Sequence, residues 1–515
     1  MVEFLDKILT KITIWGKEKS VNLRELITEI DVEKIAGNPD LEIEGVAYDS
    51  RKIQPDFLFV AISGFKEDGH DFILEAIEKG AKAVIVEKEI QIPFPKIVSV
   101  RVPSSRLALA QISNRFYEFP SGQIRVIGIT GTNGKTTTAY LIESILKRCG
   151  YRVGKISTID YTLGRGFSSF SSITTPESED AQRMIRAMVD DHLDYAVMEV
   201  SSHALVLRRV EGVEFDWAVF TNFSPEHLDF HKNLDEYLEA KVSLFKSLGN
   251  LSQKKPPKGA IVNVDDPVAS YIMAETPCQI ITYGITKEAD VRGKVLEASS
   301  NGVSFVLEAD SIDKINLSLL GIHNVYNALA AASVARGEEI PFALIKEGLE
   351  SLRRVPGRLE PTENSQGFRV FVDYAHTADG LEKALQALRG VVKGRLLVVF
   401  GCGGDRDRQK RPLMGKVALK LADYSIVTSD NPRSEDPEEI IVQIEKGVKE
   451  AGGKRERDYL VIVDRREAIQ EALERMRTED TLLIAGKGHE RFQIFKDKAV
   501  EFEDRKVVQD LLGRE

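Results

Sequence analysis

Short apolar runs alternate with longer amphipathic segments along most of the chain. In the middle of the chain, residues 125–130, 195–200, 217–221, 260–264 and 279–283 form runs with the length of buried strands. Similar runs occur before them at 43–48, 57–62, 81–86 and 97–102, and after them at 369–373, 396–400, 424–428, 459–463 and 481–485. Segments such as 72–79, 141–149 and 234–245 have helical spacing instead. This alternation predicts an α/β protein whose sheets are mostly parallel and covered on both faces.

The chain is too long for a single hydrophobic core. Its 515 residues indicate about three domains. A Pro-Ser-Ser sequence at 103–105 and a break after the alanine-rich helical segment near Pro341 suggest where they divide. We place the domains at residues 1–104, 105–350 and 351–515, with a Rossmann-like α/β fold in the last.

The composition excludes several classes of protein. Seventy Lys and Arg against 80 Asp and Glu give a net charge of -10, which argues against nucleic acid as a partner. The three cysteines, Cys149, Cys278 and Cys402, lie far apart and are typical of reduced thiols. No apolar run approaches the length that spans a membrane, and the first ten residues lack the features of an export signal. We therefore expect a cytoplasmic monomer that acts on small molecules, with no membrane or nucleic-acid partner.

A glycine-rich stretch follows the apolar run at 125–130 and precedes a predicted helix. It consists of Gly131, Thr132, Asn133, Gly134, Lys135, Thr136 and Thr137. Strand, glycine-rich turn, Lys-Thr and helix form the order of a phosphate-binding loop, in which the lysine reaches the phosphates and the hydroxyl binds magnesium. The spacing departs from the strict motif because Ile129 stands where that motif has glycine. An ordinary strand-to-helix turn is the alternative interpretation.

Acidic and imidazole side chains follow two later strands. Glu199 ends the run at 195–200, where a magnesium-binding carboxylate would lie downstream of a phosphate loop. His227 and Asp229 follow the run at 217–221, which suggests a second metal position. Taken alone, Glu199 could be a solvated strand end, and Lys241 in the helical segment 234–245 would be a solvated helix position.

Polar or glycine-rich loops follow four of the last five predicted strands. They comprise residues 374–376, 401–406, 429–433 and 486–490. In open parallel sheets ligands bind beyond the carboxyl ends of the strands, so these loops predict one binding face. Each loop considered singly could be only a turn.

Taken together, these motifs resemble the Mur ligase family. The resemblance is carried by residues 131–137, 199–203, 227–229, 321–324 with Asn327, 356–358, 373–377 and 430–433, which follow the family's order along the chain. It implies a substrate-binding first domain for the UDP-muramoyl group, a central ATPase domain and a last domain that binds the incoming amino acid. It also accounts for the irregular spacing of the phosphate loop.

The resemblance assigns roles by position. ATP would contact residues 131–137 with Asn324, Arg358 and Asp373. The UDP-muramoyl dipeptide would contact Tyr48, Ser50, Gly64, Phe65, Lys66, Glu67, Thr174, Thr175, Ser201 and Arg209. The amino acid would contact Arg406, Asp430, Asn431, Pro432, Arg433, Gly486 and Glu490. Lys135, Glu199, His227 and Lys241 would be catalytic, and Mg²⁺ would be held by Thr136, Glu199, His227 and a carbamylated Lys241.

The implied reaction is the ATP-dependent addition of meso-2,6-diaminopimelate to UDP-N-acetylmuramoyl-L-alanyl-D-glutamate in peptidoglycan synthesis, through an acyl phosphate. Arg433 would bind the distal carboxylate bidentately, which favours diaminopimelate over L-lysine. Arg406 would bind in the same pocket, and Gly486 and Glu490 would receive the distal amine. Leu207, Glu226 and Ala378 depart from the family pattern, and Leu207 puts one dipeptide contact in question. The alternatives are the same reaction with lysine, a dipeptide-adding or folylpolyglutamate-type ligase, and, from another class, a phosphate-loop ATPase that acts as a switch.

Overall fold

The structure is a computed structural model. It describes residues 20–513 except residues 66, 91–92, 172, 250–253 and 255–256. Three main sheets follow one another along this part of the chain, each with helices packed against it. The predicted α/β architecture is confirmed, and the domain boundaries at 104 and 350 stay predictions.

The first sheet has the strand order β2-β7-β6-β5-β4 and is parallel except for β2. The strands of this region are β1 Val21–Asn22, β2 Lys34–Ala36, β3 Glu42–Ile43, β4 Gly45–Ala47, β5 Phe57–Val60, β6 Ala81–Val86 and β7 Val98–Arg101, and the helices are α1 Leu23–Leu26, α2 Ile73–Glu78 and α3 Ser105–Phe116. Helix α3 packs Ala108, Leu109 and Ile112 into the core of this sheet. The hydrophobic core of the first region therefore continues past residue 104.

The central sheet has eleven strands in the order β11-β10-β9-β12-β8-β13-β14-β15-β16-β17-β18. They are β8 Arg125–Thr130, β9 Val153–Ile156, β10 Asp160–Gly164, β11 Phe167–Phe170, β12 Tyr195–Glu199, β13 Trp217–Phe220, β14 Gly259–Asn263, β15 Gln279–Gly284, β16 Val291–Ser299, β17 Gly302–Glu308 and β18 Ile312–Leu317. The helices are α4 Lys135–Arg148, α5 Ser178–Asp190, α6 Ser202–Val206, α7 Leu234–Lys246, α8 Ala269–Ala274, α9 Ile322–Gly337 and α10 Phe342–Ser351. Strands β9 and β12 to β16 run parallel with β8.

Strand β8 shows why the central strands of this sheet can be predicted from the sequence. Ile127 and Ile129 face one hydrophobic core, which contains α4, α9 and α10, while Val126 faces the core beneath α5 and α7. Because side chains alternate between the two faces of a strand, both faces here must be apolar. The result is the uninterrupted apolar run from which the strand was predicted.

The antiparallel edges of the central sheet were not predicted. Strands β10 and β11 extend one edge, and β17 and β18 extend the other. In β18 the side chains of Ile312, Asp313, Lys314 and Asn316 are exposed, so only one face is buried. Such strands alternate polar and apolar residues and lack the continuous apolar run.

The last main sheet has the order β19-β20-β24-β21-β22-β23 and is parallel except for β19. The strands are β19 Glu360–Thr362, β20 Arg369–Asp373, β21 Leu396–Phe400, β22 Tyr424–Val427, β23 Tyr459–Val461 and β24 Thr481–Ala485, followed by a hairpin of β25 Phe492–Ile494 and β26 Ala499–Glu501. The helices are α11 Ala378–Arg389, α12 Lys410–Leu421, α13 Pro437–Glu450, α14 Arg465–Glu474 and α15 Asp504–Leu512. The five predicted strands of this region are confirmed.

The structure also bears on the sequence-based expectations for the cysteines and for membrane-spanning segments. All three cysteines are free thiols, as predicted. Among the described residues, no helix is both long and apolar enough to cross a membrane.

A buried ion pair joins the last two helices and provides a test of the packing. Arg465 Nε lies 2.7 Å from Asp504 Oδ1, and both side chains are fully buried. We predict that Asp504→Ala lowers the free energy of unfolding by about 3–5 kcal/mol, because it leaves the Arg465 cation buried and unpaired. Urea denaturation of the purified protein measures this change.

The matched control for Asp504→Ala is Asp510→Ala on the same helix. Asp510 pairs with Arg466 at 4.0 Å, but both side chains are largely exposed. This substitution should leave the urea midpoint almost unchanged, since exposed pairs contribute little. Equal midpoints for both variants would contradict the stabilising role of the buried pair.

Candidate active site

The candidate site lies where three neighbouring strands of the central sheet end. Strands β12, β8 and β13 are adjacent, and they run parallel. The segments that follow their carboxyl ends therefore meet at one edge of the sheet. These segments carry Glu199, the glycine-rich loop and His227.

Two glycines shape the loop between β8 and α4. The φ angles of Gly131 and Gly134 are +144° and +87°, which other residues rarely adopt. A Cβ atom at Gly131 would stand 1.9 Å from Thr221 Oγ1, and one at Gly134 would stand 2.4 Å from Asn327 Oδ1. The loop is therefore held closely between the segment after β13 and helix α9. Ile129 is a buried residue of β8, so the position that lacks the motif's glycine belongs to the strand and not to the loop.

Two lysines donate to the same backbone oxygen of this loop. Lys135 Nζ lies 2.9 Å from the Gly131 carbonyl oxygen and 2.8 Å from that of Thr132, and Lys241 Nζ lies 2.9 Å from the Gly131 carbonyl oxygen. Among the described residues, no carboxylate lies within hydrogen-bond distance of either lysine Nζ. Lys241 is only 1% exposed, so the solvated helix position that its sequence context suggests is wrong. Burial lowers the pKa of Lys241 well below its usual value, and the Lys135 cation lowers it further.

Glu199 is the centre of a compact hydrogen-bond network at the end of β12. Its Oε2 accepts bonds from Thr136 Oγ1 at 3.1 Å and from Thr158 Oγ1 at 2.9 Å. Its Oε1 accepts a bond from the Thr158 backbone N–H at 2.8 Å. Arg358 Nη2 donates to Thr136 Oγ1 at 3.1 Å, which brings a residue from outside the central sheet to the same point.

His227 stands beside this network in a left-handed backbone conformation, with φ of +59°. Its ring packs edge-on against His203 at 4.8 Å, and His203 stacks on Phe230 at 4.1 Å. Burial lowers the pKa of His227 to about 2, with contributions from His203, Lys135 and Lys241. The imidazole is therefore neutral at physiological pH, the form in which it binds a metal.

The predicted magnesium ligands do not form a complete site by themselves. Over the described ranges of the chain, no group of three or more His, Cys, Asp or Glu side chains is arranged to hold a metal ion. The oxygen donors of Thr136 and Glu199 are nonetheless within hydrogen-bond distance of each other, and oxygen is the ligand that magnesium prefers.

The last region of the chain contacts the phosphate loop directly. Asn133 Nδ2 donates to Asp379 Oδ2 at 2.6 Å, and Ser224 Oγ lies 3.4 Å from the same oxygen. Asp373 accepts backbone N–H bonds from Leu359 and Ala375 at 2.6 and 2.7 Å. Helix α11, which contains Asp379, therefore closes one side of the loop.

Four of the predicted dipeptide-binding residues lie together next to Glu199. Thr175 Oγ1 donates to the Glu199 carbonyl oxygen at 2.9 Å and accepts from the Ser201 backbone N–H at 3.1 Å. Arg209 Nη1 donates to the Thr175 carbonyl oxygen at 3.2 Å, and Thr174 Oγ1 lies 3.1 Å from Thr158 Oγ1. The structure thus places this set at the edge of the glutamate network.

The predicted uridine-binding residues are more dispersed. Tyr48 donates to Asp180 Oδ2 at 2.6 Å, and Ser50 Oγ donates to Glu75 Oε2 at 3.1 Å. Gly64, Phe65 and Glu67 are exposed, and the ring of Phe65 lies 5.7 Å from that of Phe230. Lys66 lies outside the described residues. Phe65 is the member of this group that approaches the central site.

The predicted amino-acid-binding residues meet at the carboxyl ends of β21, β22 and β24. Asn431 Nδ2 donates to Glu490 Oε2 at 2.6 Å. Gly486 has φ of +114°, and a Cβ there would stand 2.3 Å from Asp430 Oδ2. A Cβ at Gly403 would stand 2.8 Å from Arg433 Nη1 and 3.9 Å from Arg406 Cγ, so the guanidinium group of Arg433 and the aliphatic stem of Arg406 both approach this glycine. Pro432 lies in the same loop and packs against Gly404.

Asn324 has internal partners in this structure. Its Nδ2 donates to the Leu320 carbonyl oxygen at 2.7 Å, and its Oδ1 accepts from Asn327 Nδ2 at 2.8 Å. Sequence reasoning missed Thr158 and Asp379, although both contact predicted site residues. Thr158 follows a strand that no apolar run predicted, and Asp379 lies more than 200 residues from its partner, so neither had a usable sequence signal.

Comparison with family models matches three segments of the chain. The Mur ligase family catalytic domain matches residues 42–119, the Mur ligase middle domain matches 129–335, and the Mur ligase glutamate ligase domain matches 357–488. The three matches together cover most of the chain.

Curated proteins and a solved structure match nearly the full length. A protein from Caldanaerobacter subterraneus subsp. tengcongensis is 45% identical over 481 residues, with 93% of this chain and 97% of that protein covered. One from Syntrophomonas wolfei subsp. wolfei is 46% identical over 495 residues, with 96% and 99% covered. Both are named UDP-N-acetylmuramoyl-L-alanyl-D-glutamate--2,6-diaminopimelate ligase. A solved structure with the same name has 32% identity and a TM-score of 0.66, covering 96% of this chain and 99% of its own.

Proposed function

The chain belongs to the Mur ligase family, and from this premise we propose that it joins meso-2,6-diaminopimelate to UDP-N-acetylmuramoyl-L-alanyl-D-glutamate with hydrolysis of ATP to ADP. The observation that carries the proposal is the convergence of Lys135, Glu199 and Lys241 on one loop at the ends of β8 and β12. The amino-acid-binding face of the last sheet reaches the same loop through Asp379.

The phosphate loop and its lysine would bind ATP. Lys135 would exchange its backbone partners for the terminal phosphate, and the backbone N–H groups at the start of α4 would receive the other phosphates. The D-glutamate carboxylate of the muramoyl dipeptide would then attack the terminal phosphorus, and ADP would leave. This step requires positioning and neutralisation of negative charge, which the loop provides.

Thr136, Glu199, His227 and Lys241 would hold magnesium at this point. Bound magnesium would supply positive charge to the transferred phosphoryl group. Thr136 and Glu199 fit this role because their oxygen atoms already meet, and the neutral His227 could add a nitrogen ligand.

Lys241 would enter this ligand set as a carbamate. Its amine is buried, has a carbonyl oxygen as its partner and is close enough to the Lys135 cation to be destabilised by it. A neutral amine reacts with carbon dioxide, and the product carries a carboxylate in place of a cation. That change would replace repulsion between two lysines by attraction and would add a second carboxylate ligand beside Glu199.

The amine of the incoming amino acid would then displace phosphate from the acyl phosphate. The contact between Asp379 and Asn133 supports an arrangement in which the last domain covers the loop and excludes water from this reactive intermediate. Thr174, Thr175, Ser201 and Arg209 would hold the dipeptide beside Glu199, and the exposed turn at Phe65 would contact the uridine diphosphate.

The choice of diaminopimelate would depend mainly on Arg433. The side chains of Arg433 and Arg406 both lie near Gly403, and burial together with the Arg406 cation lowers the pKa of Arg433. A distal carboxylate between them would relieve that repulsion and accept paired hydrogen bonds. Lysine has no such carboxylate, so the site favours diaminopimelate.

The experiment that tests this function measures ADP release from ATP and magnesium. The muramoyl dipeptide and the amino acid are supplied separately and together, with diaminopimelate and lysine in parallel. We expect ADP release and amide product only when the dipeptide and diaminopimelate are both present. A rate of phosphate release that does not depend on either substrate would favour a switch ATPase. Equal rates of amide formation with lysine and with diaminopimelate would contradict the proposed selectivity.

We predict that Lys241→Met lowers kcat by about a hundredfold or more, because it removes the carbamate and thus one negative ligand of the site. Lys246→Met is the control, since Lys246 lies at the exposed end of the same helix and pairs with Glu239 and Glu275. Steady-state kinetics at saturating bicarbonate measure both variants. Full activity of Lys241→Met would rule out a catalytic carbamate.

We also predict that Arg433→Ala raises the KM for diaminopimelate by about tenfold or more while the KM for ATP changes little, because a bidentate ion pair is lost. Arg408→Ala is the control, because Arg408 lies in the adjacent loop and its exposed side chain pairs with Glu435. Initial rates with each substrate varied separately give both constants. An equal loss for ATP and diaminopimelate would exclude a selective role of Arg433.

A further inference from the structure

Lys487 is a fully buried lysine between two predicted contacts of the amino acid. Its Nζ donates to Asn431 Oδ1 at 3.2 Å, to Glu490 Oε2 at 3.1 Å and to the Phe492 carbonyl oxygen at 2.6 Å. An ammonium group has three N–H donors, so all of them are used within the protein. Lys487 therefore has no donor left for a ligand and acts only on its neighbours.

One of these neighbours is Asn431, whose side-chain amide has a fixed orientation. Its Oδ1 accepts from Lys487 and also from the Ile494 backbone N–H at 2.9 Å. Its Nδ2 must then point the other way, where it donates to Glu490 Oε2 at 2.6 Å. Because Lys487 and the Ile494 amide can only donate here, a flipped amide would place two donors against donors.

The second neighbour is Glu490, whose two carboxylate oxygens differ in their surroundings. Oε2 accepts from both Asn431 and Lys487, whereas no partner of Oε1 is found among the described residues. The side chain is 29% exposed, so Oε1 is open to a ligand. Burial raises the pKa of Glu490, the Lys487 cation opposes that rise, and Asp430 adds to it.

The hairpin of β25 and β26 fixes the other loop of the site in the same manner. Gln493 Nε2 donates to the Asp430 carbonyl oxygen at 2.8 Å, and the Arg433 backbone N–H donates to the Ile494 carbonyl oxygen at 2.9 Å. Lys487 holds the start of this hairpin through Phe492. The buried cation thus connects the Glu490 loop, the Asn431 loop and the hairpin.

We propose that Lys487 is a positioning residue that presents Oε1 of Glu490 to the distal amine of the incoming amino acid. The inference rests on the proposed function, because it assumes that Glu490 binds the amine of diaminopimelate. The two ends of the distal group would then be recognised separately. Arg433 would bind the distal carboxylate, and Glu490, oriented by Lys487, would bind the distal amine.

The test compares diaminopimelate with 2-aminopimelate, which retains the distal carboxylate and lacks the distal amine. For the full-length wild type we expect kcat/KM to favour diaminopimelate by about tenfold or more, since a charged hydrogen bond is lost with the analogue. In Lys487→Met this preference should fall to about threefold or less, while the KM for ATP and for the muramoyl dipeptide stays the same. Lys496→Met, an exposed lysine in the hairpin turn, is the control and should keep the wild-type preference.

A second variant keeps the test valid if Lys487→Met folds poorly. Lys487→Met/Glu490→Gln removes both charges of the buried pair and should therefore be tolerated better than the single change. The amine preference of this double variant should equal that of Glu490→Gln alone, because Lys487 acts through Glu490. A further tenfold difference between the two, or a wild-type preference in Lys487→Met, would overturn the proposal.

The wild-type reaction separates this inference from the proposed function. If the wild type forms no product with diaminopimelate, the proposed function fails, and the positioning role is rejected with it. If the wild type forms product but shows no preference for diaminopimelate over 2-aminopimelate, only the positioning role is rejected.

Discussion

The site is organised by a single backbone oxygen that accepts hydrogen bonds from two lysines, the buried Lys241 and the half-buried Lys135. Both Lys135 and Lys241 donate to the Gly131 carbonyl, at 2.9 Å each. Two cations at this distance from one acceptor repel each other in a largely buried environment, and the carboxylates of Glu199 and Glu226 offset that repulsion only in part. The cost is avoided if one lysine is neutral, and burial selects Lys241 for that state. In the proposed function, the neutral Lys241 beside the phosphate-binding Lys135 would react with carbon dioxide, and the carbamate would complete the metal-binding set with Glu199.

The sheet topology explains why residues from distant parts of the chain meet here. Strands β12, β8 and β13 are neighbours although long helical connections separate them in sequence, and their carboxyl ends share one edge. Arg358 and Asp379 reach the same edge from the last region, through Thr136 and Asn133. In the proposed reaction, phosphoryl transfer and amine attack would therefore take place at one edge of the sheet, with residues from distant parts of the chain. The tight fit of Gly131 against Thr221 keeps the loop fixed while these parts assemble.

The sequence allowed prediction of most strands that are buried on both faces, with the exception of β9, which is buried but contains Gly154 and Lys155 and has no apolar run. Strands β8, β20 and β24 match their apolar runs residue for residue because neither face can carry polar groups. The antiparallel edge strands were missed because half of each strand faces solvent. In the candidate site, the glycine-rich loop and the strand-end positions could be predicted from local spacing. The burial of Lys241 could not be predicted, because the helical spacing of apolar residues does not show whether a lysine between them is buried or exposed to solvent. Thr158 depends entirely on tertiary contacts. Lys487 lies in the predicted loop 486–490, but its burial and its contacts are not indicated by any local pattern.

The central claim is that Lys241 carries a carbamate when the enzyme is active, and ¹³C NMR of the unmodified protein in ¹³C-bicarbonate tests it most directly. We predict one slowly exchanging carbamate signal that persists near neutral pH, where exposed lysines remain protonated and do not react. Its intensity should correspond to about one site per chain and should be absent from Lys241→Met. A spectrum with only free bicarbonate and carbon dioxide, recorded on protein that is active in the ligase assay, would contradict the account.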